Sequence, residues 1–270
     1  MPADDRATEQ AHERDLLATA VREAGALALK TFQCSPRQWR KGATSVVCEA
    51  DIAVDHFLRE RLLGAAASYG WLSEETEDDP ARLEAERIWI VDPIDGTRSY
   101  LAGRPDWAVS AALAVAGRPV LAALFAPVSG ELFLAVESGG ATRNGIPMAA
   151  SCGAALDGAK VAGPKRLLER LAELDVALSP MPRIGSLALR LARVAQGELD
   201  IAFAGSDSHD WDLAAADLLV HEAGGALTDM DGKRLVYNRP DPVHGALVAA
   251  GRTRHAPLLA RLRGRPAATA

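Results

Sequence analysis

The feature that most constrains the fold is a short apolar run that ends abruptly in two acids, a proline and a glycine. Residues 88–91 are β-branched or aromatic and are bounded by turn residues, which predicts a buried strand. Asp92 then stands at the carboxyl end of that strand, where open sheets place their ligand sites. The alternative is an ordinary Asp-Gly turn with a solvated second acid, as we interpret Asp231-Gly232.

The residues that follow Asp92 predict a cation site beside a phosphate site. A proline fixes φ and donates no hydrogen bond, so the chain turns and the carbonyl of Ile94 can point outward. Gly96 lets the backbone approach a ligand closely, and a helix that begins at Thr97 would leave the amides of both residues unpaired. Such amides bind phosphate with help from the helix dipole. With Asp95, the stretch therefore brings two carboxylates, one carbonyl and phosphate-binding amides together.

The order of apolar patterns predicts two halves. The chain has 270 residues, enough for one large domain or two modest ones that share an interface. Residues 1–150 predict an α+β half, with an antiparallel meander of strands at 109–116, 120–125 and 131–136. Residues 151–270 alternate strand and helix patterns, which predicts an α/β half. Predicted helices cover 11–29, the segment after Asp51, 165–174, the segment capped by Ser186, and 211–223.

Charge and cysteine content exclude some classes of partner. The net charge of −6 argues against a surface for nucleic acid polymers, but it permits a small phosphorylated substrate that is met through metal ions. Cys34, Cys48 and Cys152 are odd in number and widely spaced, which is typical of reduced thiols in the cytoplasm. The longest apolar stretch, 107–128, is interrupted by Gly117-Arg118-Pro119, so it cannot cross a membrane as one helix. We expect a cytoplasmic protein.

Further acids stand where elements are predicted to begin or end. Glu74 and Glu75 follow Trp71-Leu72, so one carboxylate can face a metal while its neighbour supports it from outside. Asp212 begins the last long helix and Asp51 begins the second. The alternatives are a solvated acidic loop for the glutamates and helix capping for the aspartates.

Taken together, these motifs resemble the inositol monophosphatase superfamily of magnesium-dependent phosphatases over nearly the whole chain. The central motif of that family is matched by residues 92–97, and the second by Trp211-Asp212 with residues 222–225. The acidic pair and the segment of the first acid are matched by Glu74-Glu75 and residues 49–51. The resemblance implies an α+β fold, a layered α-β-α-β-α sandwich of the inositol monophosphatase and fructose-1,6-bisphosphatase type. It also implies that the active site lies between the two halves of the chain and that the protein forms a homodimer.

The resemblance implies two to three Mg²⁺ ions in each site. Glu74, Asp92 and the carbonyl of Ile94 would hold one ion. Asp92, Asp95 and Asp212 would hold a second, with Asp92 as the bridge, and a third, weaker ion would lie near Glu74. Oxygen donors of this kind suit Mg²⁺, and two such ions can hold both the attacking and the leaving oxygen of an in-line displacement.

Catalytic roles are also implied by the resemblance. Asp51 and Thr97 would form a dyad that orients and deprotonates the attacking water, with Glu74 contributing from the metal side. The amides of Gly96 and Thr97 would bind the phosphate, and Glu75 would support the site from outside.

The substrate is predicted from positions in the second half. Inositol phosphatases resemble one another in a Glu seven residues before the metal-binding Asp, and that position is Gly205 here. An acid before the Trp, here Asp210, is similar to the nucleotidase and histidinol phosphatase branches. Tyr237 lies in a stretch that resembles the tail of bacterial 3'(2'),5'-bisphosphate nucleotidases and could line an adenine site or simply pack as a strand aromatic. Three cations, which could equally be surface residues, could bind a second phosphate: Arg183, Lys165 and Arg190.

We therefore predict a phosphomonoesterase that converts 3'-phosphoadenosine 5'-phosphate to AMP. Inositol 1-phosphate is the alternative substrate, followed by histidinol phosphate and fructose 1,6-bisphosphate. Lithium sensitivity is an expectation of the family. A catalytically silent binding or regulatory protein on the same fold is the other class. The intact set of predicted ligands, together with Thr97, favours the enzyme.

Overall fold

The computed structural model describes residues 3–41, 45–172 and 176–264, and within them seven α-helices alternate with two main sheets. The helices are α1 (Ala3–Leu29), α2 (Glu49–Ala65), α3 (Thr97–Leu101), α4 (Lys165–Ala172), α5 (Leu187–Ala195), α6 (Asp210–Glu222) and α7 (Arg252–Arg263). A short 3₁₀ helix, Pro80–Glu84, precedes the central strand.

The strands of the first half form a hairpin and a seven-stranded sheet. The hairpin consists of β1 (Gln38–Lys41) and β2 (Ser45–Cys48). The large sheet keeps chain order: β3 (Gly70–Ser73), β4 (Arg87–Asp95), β5 (Ala108–Val115), β6 (Arg118–Ala126), β7 (Glu131–Val136), β8 (Gly140–Arg143) and β9 (Ile146–Pro147). Only the β3–β4 pair is parallel in this sheet, because short turns join the later strands.

The second half contains a smaller sheet and a two-stranded ribbon. Its strands are β10 (Lys160–Ala162), β11 (Ser179–Pro180), β12 (Ile201–Ala204), β13 (Ser208–His209), β14 (Gly225–Asp229), β15 (Val243–His244) and β16 (Leu247–Gly251). The smaller sheet has the order β11-β10-β12-β16-β14, and β13 pairs with β15 to form the ribbon.

Alternating side chains on the strands build a five-layer sandwich. Trp89 of β4 packs with Val21 of α1 and Leu58 of α2, whereas its neighbour Ile90 faces the opposite side and packs with α5 and α6. In the small sheet, residues 202 and 204 face α5 and α6, and residues 201 and 203 face α4 and α7. Because successive side chains of a strand point to opposite faces, each sheet has a helical layer on both sides. The predicted α-β-α-β-α sandwich is confirmed.

Most predicted elements lie where the sequence patterns placed them, and Ser186 caps α5 by accepting a hydrogen bond from the amide of Leu189 at 2.9 Å. One difference matters for the site. Strand β4 continues beyond its predicted end to Asp95, because pairing with β5 is interrupted after Asp92 and resumes at Asp95 opposite Ala108. The last two residues of the helix predicted over 165–174, residues 173 and 174, lie outside the described residues.

Two further sequence expectations concern the cysteines and the membrane. Cys34, Cys48 and Cys152 are free thiols. None of the helices in the described part of the chain combines the length and the apolar character needed to cross a membrane.

Candidate active site

A polar cleft of about 720 Å³ opens at the carboxyl end of β4, between the two halves. Its floor is acidic and contains Glu74, Asp92, Asp95 and Asp212. Its rim is basic and aromatic and contains Arg98, Arg104, Arg183, His209 and Trp211. The four carboxylates predicted as metal ligands and one predicted cation therefore converge in one place.

The break in β4 shapes the floor of the cleft. Oδ1 of Asp92 accepts a hydrogen bond from the amide of Ile94 at 3.1 Å, which turns the chain back on itself. Gly96 has a φ of +94° and directly precedes α3. A Cβ at this position would lie 3.0 Å from the nitrogen of Ser186, so both the backbone conformation and the close approach of the second half require glycine.

Thr97 connects this turn to the second helix. Its Oγ1 lies 3.1 Å from Oδ1 of Asp51 and 3.1 Å from the carbonyl oxygen of Ile94. A hydroxyl donates one hydrogen bond, so donation to Asp51 leaves the Thr97 oxygen free to accept one. Desolvation raises the pKa of Asp51, whereas hydrogen bonds from Cys48 and Thr97 oppose the rise.

Asp51 and Asp212 each combine helix capping with a place beside the site, which the sequence analysis gave as alternatives. Oδ2 of Asp51 accepts the amide of Cys48 at 2.8 Å, and Oδ2 of Asp212 accepts the amide of His209 at 2.6 Å. Each aspartate thus caps the helix it belongs to. In each, the capping bonds use one carboxylate oxygen, and the other oxygen is left for the site.

Three carboxylates from both halves form one cluster. Asp92, Asp95 and Asp212 each offer an oxygen, and these oxygens all lie within 4.8 Å of one another. Desolvation, reinforced by the charge of Asp95, raises the pKa of Asp212 to about 7. Desolvation and then the charge of Glu74 raise the pKa of Asp92. Because a hard cation would relieve this repulsion through oxygen ligands, the residues present fit Mg²⁺.

Asp95 also joins the two halves. Its Oδ2 accepts the hydroxyl of Ser186 at 2.5 Å and the amide of Ala188 at 2.6 Å, and its Oδ1 accepts the amide of Leu187 at 3.1 Å. These donors are the start of α5, and they oppose the desolvation that raises the pKa of Asp95. The carboxylate is thereby fixed in orientation before any cation binds.

The glutamate pair divides as predicted between the cleft and its support. Glu74 lines the cleft, and desolvation together with the charge of Asp212 raises its pKa well above the usual value. The side chain of Glu75 is 3% exposed, and its Oε2 lies 3.4 Å from Nζ of Lys41, which also donates to the carbonyl of Glu74. Glu74 does not belong to the three-carboxylate cluster.

Sequence reasoning missed Asp55, which supports the turn that carries the glutamates. Its two carboxylate oxygens accept the hydroxyls of Ser73 at 2.5 Å and Thr76 at 2.7 Å. The signal was available, because Asp55 is one helical turn after Asp51 and therefore lies on the same face of α2.

The rim of the cleft carries cations and aromatic rings. Arg183 lines the cleft as predicted, together with Arg98 and Arg104, which sequence reasoning missed although they closely follow the central motif. The rings of His209 and Trp211 are stacked, with centroids 4.5 Å apart and planes at 8°. Two other predicted cations lie elsewhere: Arg190 donates to the carbonyls of Phe203 and Ile184, and Lys165 pairs with Glu169 on α4.

Two predicted substrate contacts are not found in the cleft. Asp210 is fully buried, and its carboxylate is occupied by His244 and by the amide of Asn238. Tyr237 is 1% exposed, and its hydroxyl donates to Asp217 at 3.0 Å. Neither side chain lines the cleft, so this part of the substrate prediction is corrected.

At position 205, where inositol phosphatases have a Glu, the space around the backbone is open. A Cβ added at Gly205 would meet nothing closer than Cγ of Pro164, at 4.0 Å. The missing acid therefore leaves space rather than a filled pocket.

Comparison with known proteins agrees with this geometry. The model of the inositol monophosphatase family matches residues 10–265. An inositol-1-monophosphatase of Rhizobium meliloti (strain 1021) is 38% identical over 201 residues, which cover 71% of this chain and 75% of that protein. Inositol monophosphatase 2 of Solanum lycopersicum is 32% identical over 231 residues, with coverage of 81% and 87%. The extragenic suppressor protein suhB of Bartonella henselae superposes with a TM-score of 0.81 at 28% identity, covering 92% of this chain and 97% of that one.

Proposed function

The chain belongs to the inositol monophosphatase family, and we propose that it hydrolyses a small phosphate monoester in the cleft with Mg²⁺ as its metal. The observation that carries the proposal is the adjacency of two groups. The Asp92, Asp95 and Asp212 oxygens lie within 4.8 Å of one another, and the Thr97–Asp51 hydrogen bond stands beside them.

Each group has a chemical role in this proposal. Bound Mg²⁺ would polarise the phosphate and lower the pKa of the attacking water. Asp92, Asp95 and Asp212 would hold the ion, with Glu74 and the carbonyl of Ile94 available for another.

The chain's own residues would then move the proton. Asp51 accepts the hydrogen bond of the Thr97 hydroxyl, which leaves the Thr97 oxygen free to accept one from the attacking water. Desolvation raises the pKa of Asp51, which makes this carboxylate a better proton acceptor than a solvated one. The amides of Gly96 and Thr97 would meet the charge of the phosphate.

For the substrate we propose 3'-phosphoadenosine 5'-phosphate, which is converted to AMP. Three arginines on the rim, Arg98, Arg104 and Arg183, provide positive charge for a second phosphate. The stacked pair of His209 and Trp211 provides a flat aromatic surface beside them for a base. Asp210 and Tyr237 no longer support this choice.

Inositol 1-phosphate is the second candidate. Two of the proteins reported above are inositol monophosphatases by name, at 38% and 32% identity. Against it stands Gly205, which offers no acid to bind ring hydroxyls. The expectations of a homodimer and of a cytoplasmic location stay predictions.

The test is phosphate release by the purified protein with Mg²⁺, with and without Li⁺, on four esters compared by kcat/KM. The esters are 3'-phosphoadenosine 5'-phosphate, inositol 1-phosphate, fructose 1,6-bisphosphate and histidinol phosphate. We expect the adenosine bisphosphate to be preferred. We also expect Arg183→Gln to raise KM for it by about tenfold, the value of one charge-assisted hydrogen bond.

Two results would contradict the proposal. Unchanged phosphate release by Asp92→Asn would exclude hydrolysis at this cleft. A preference for inositol 1-phosphate would exclude the substrate assignment while leaving the hydrolytic function intact.

A further inference from the structure

Residues 233–244, here called the strap, lie against the start of α6. Ser208 pairs with His244 and His209 pairs with Val243 in the β13–β15 ribbon. The amide of Asp210 donates to the carbonyl of Pro242 at 3.0 Å. The strap therefore holds the first turn of α6, and Asp212 is the third residue of that helix.

The strongest contact between the strap and α6 is a fully buried carboxylate. Oδ2 of Asp210 accepts the amide of Asn238 at 2.7 Å, and its Oδ1 lies 2.7 Å from Nε2 of His244. Loss of a hydrogen-bond partner costs more free energy at a buried carboxylate than at an exposed one. These two contacts therefore fix the strap relative to the helix.

The strap is held from its other side by the first half of the molecule. Nη1 of Arg82, which is 3% exposed, donates to Oδ1 of Asn238 at 2.6 Å, and its Nη2 donates to the carbonyl of Arg239 at 3.1 Å. The same guanidinium binds the carboxylate of Asp78 at 2.5 and 3.0 Å. Asp78 is four residues after Glu74, so the chain of contacts begins beside one predicted metal ligand.

We propose that Arg82, Asn238, Asp210 and His244 form a positioning network that sets where Asp212 stands relative to Asp92 and Asp95. None of the four lines the cleft, so the network acts through α6 rather than on a substrate. Oδ2 of Asp212 is fixed by the His209 amide, and the orientation of this first turn therefore determines where the remaining oxygen points. The inference rests on the metal site of the proposed function.

The placement of the network favours positioning over general stabilisation. A purely structural cluster needs no particular relation to the cleft, whereas this one joins the segment after Glu74 to the turn that carries Asp212. Outer partners of this kind, when removed, typically lower metal affinity by about 10–100-fold.

The test measures Mg²⁺ binding by the full chain without substrate, from the Mg²⁺-dependent rise of the unfolding midpoint and from titration calorimetry. Asp210→Ala removes both contacts, and we expect the Kd for Mg²⁺ to rise by about 10–100-fold. Asn238→Gly removes the side-chain contact with Arg82 but keeps the backbone amide that Asp210 accepts and the contact of Arg82 with the carbonyl of Arg239. It also suits the φ of +56° at this position, so it serves if Asp210→Ala fails to fold.

Two controls separate positioning from stability. Asn238→Asp keeps an acceptor for Arg82, so its Mg²⁺ affinity should return towards that of the wild type. Glu13→Gln weakens the contacts of another buried carboxylate, which binds Tyr69 and Arg87 where α1 packs on the large sheet, at the opposite end of β4 from Asp92. It should lower the unfolding midpoint without changing Mg²⁺ affinity.

The outcomes distinguish this inference from the proposed function. Wild-type Mg²⁺ affinity in both Asp210→Ala and Asn238→Gly, with lowered unfolding midpoints, would overturn the network's positioning role and leave the metal site standing. A wild-type protein with no Mg²⁺-dependent stabilisation would overturn the metal site and this inference with it.

Discussion

Helices α2 and α6 begin in the same way, but the surroundings of their capping aspartates differ. Asp51 and Asp212 are each the third residue of their helix, and each accepts the amide of the residue before the helix. Asp51 is 1% exposed and has the Thr97 hydroxyl as its next neighbour. The side chain of Asp212 is 22% exposed and stands among carboxylates.

The difference shows that neighbours, not the local motif, decide what a capping carboxylate can do. Hydrogen bonds from Cys48 and Thr97 offset part of the desolvation at Asp51, so this carboxylate is satisfied by donors within the protein. At Asp212 the charge of Asp95 adds to the desolvation, and only the amide of His209 opposes it, so a proton or a cation would satisfy the remaining oxygen. This difference is the basis on which we propose proton transfer for Asp51 of α2 and metal binding for Asp212 of α6.

The largest effect is expected from Asp212→Asn. Removing one charge of the three-carboxylate cluster should abolish Mg²⁺-dependent stabilisation and lower kcat/KM by about 10³–10⁴-fold, the equivalent of several kcal/mol of metal catalysis. Phosphate release and Mg²⁺ titration of the unfolding midpoint are the measurements. A variant that still binds Mg²⁺ like the wild type would remove the distinction between the two helices.

Asp51→Asn should separate catalysis from metal binding. We expect kcat to fall by about 10²–10³-fold because a general base is lost, while Mg²⁺ affinity stays within a few-fold of the wild type. Thr97→Ala should reproduce this loss and Thr97→Ser should restore most of the activity. Loss of Mg²⁺ affinity in Asp51→Asn would mean that α2 also belongs to the metal site.

The substitution Asp55→Asn tests whether the supporting carboxylate of α2 affects Mg²⁺ binding in the way that we propose for Asp210 of α6. Asp55 holds the turn that carries Glu74, so its loss should raise the Mg²⁺ concentration for half-maximal activity by about tenfold. The ion held by Asp92, Asp95 and Asp212 should still stabilise the protein. Equal loss of both signals would show that the glutamate turn and the three-carboxylate cluster are one site.

The smallest effect is expected from pH in the absence of metal. The pKa of Asp212 is about 7 in the folded state, against an ordinary value near 3.8, so the folded protein binds more protons than the unfolded chain between these values. Its free energy of unfolding should therefore fall as pH rises from about 4 to about 7, by roughly 1–3 kcal/mol. Unfolding by denaturant at several pH values measures this, and Mg²⁺ should remove most of the decline at pH 8. Asp212→Asn should flatten the profile more than Asp51→Asn does.

The sequence predicts the floor of the cleft well because its signals are local. Asp92, Asp95 and Thr97 lie within six consecutive residues, and a strand that breaks before a helix fixes their relative positions from the chain itself. The two capping aspartates are marked by their place at a helix start. The sequence could not choose between capping and a role in the site, and the structure shows that one carboxylate has an oxygen for each.

The prediction for Asp210 was wrong for a reason that helix geometry makes plain. Residues two apart on an α-helix point about 200° from each other, so a helix that turns Asp212 towards the cleft turns Asp210 away from it. Tyr237 was misplaced for another reason. Its partner Asp217 lies on α6, and contact between a loop and a helix so far along the chain leaves no local pattern in the sequence.

Gly205 differs from Gly96 in the space around its backbone. Its backbone is not in a conformation that demands glycine, and no atom outside its own neighbourhood lies closer than 4.0 Å to a Cβ placed there. The Cβ of a larger residue would therefore be accommodated at this position, whereas Gly96 admits none. Gly205→Glu is thus the substitution that tests whether an acid at this position shifts preference towards inositol 1-phosphate.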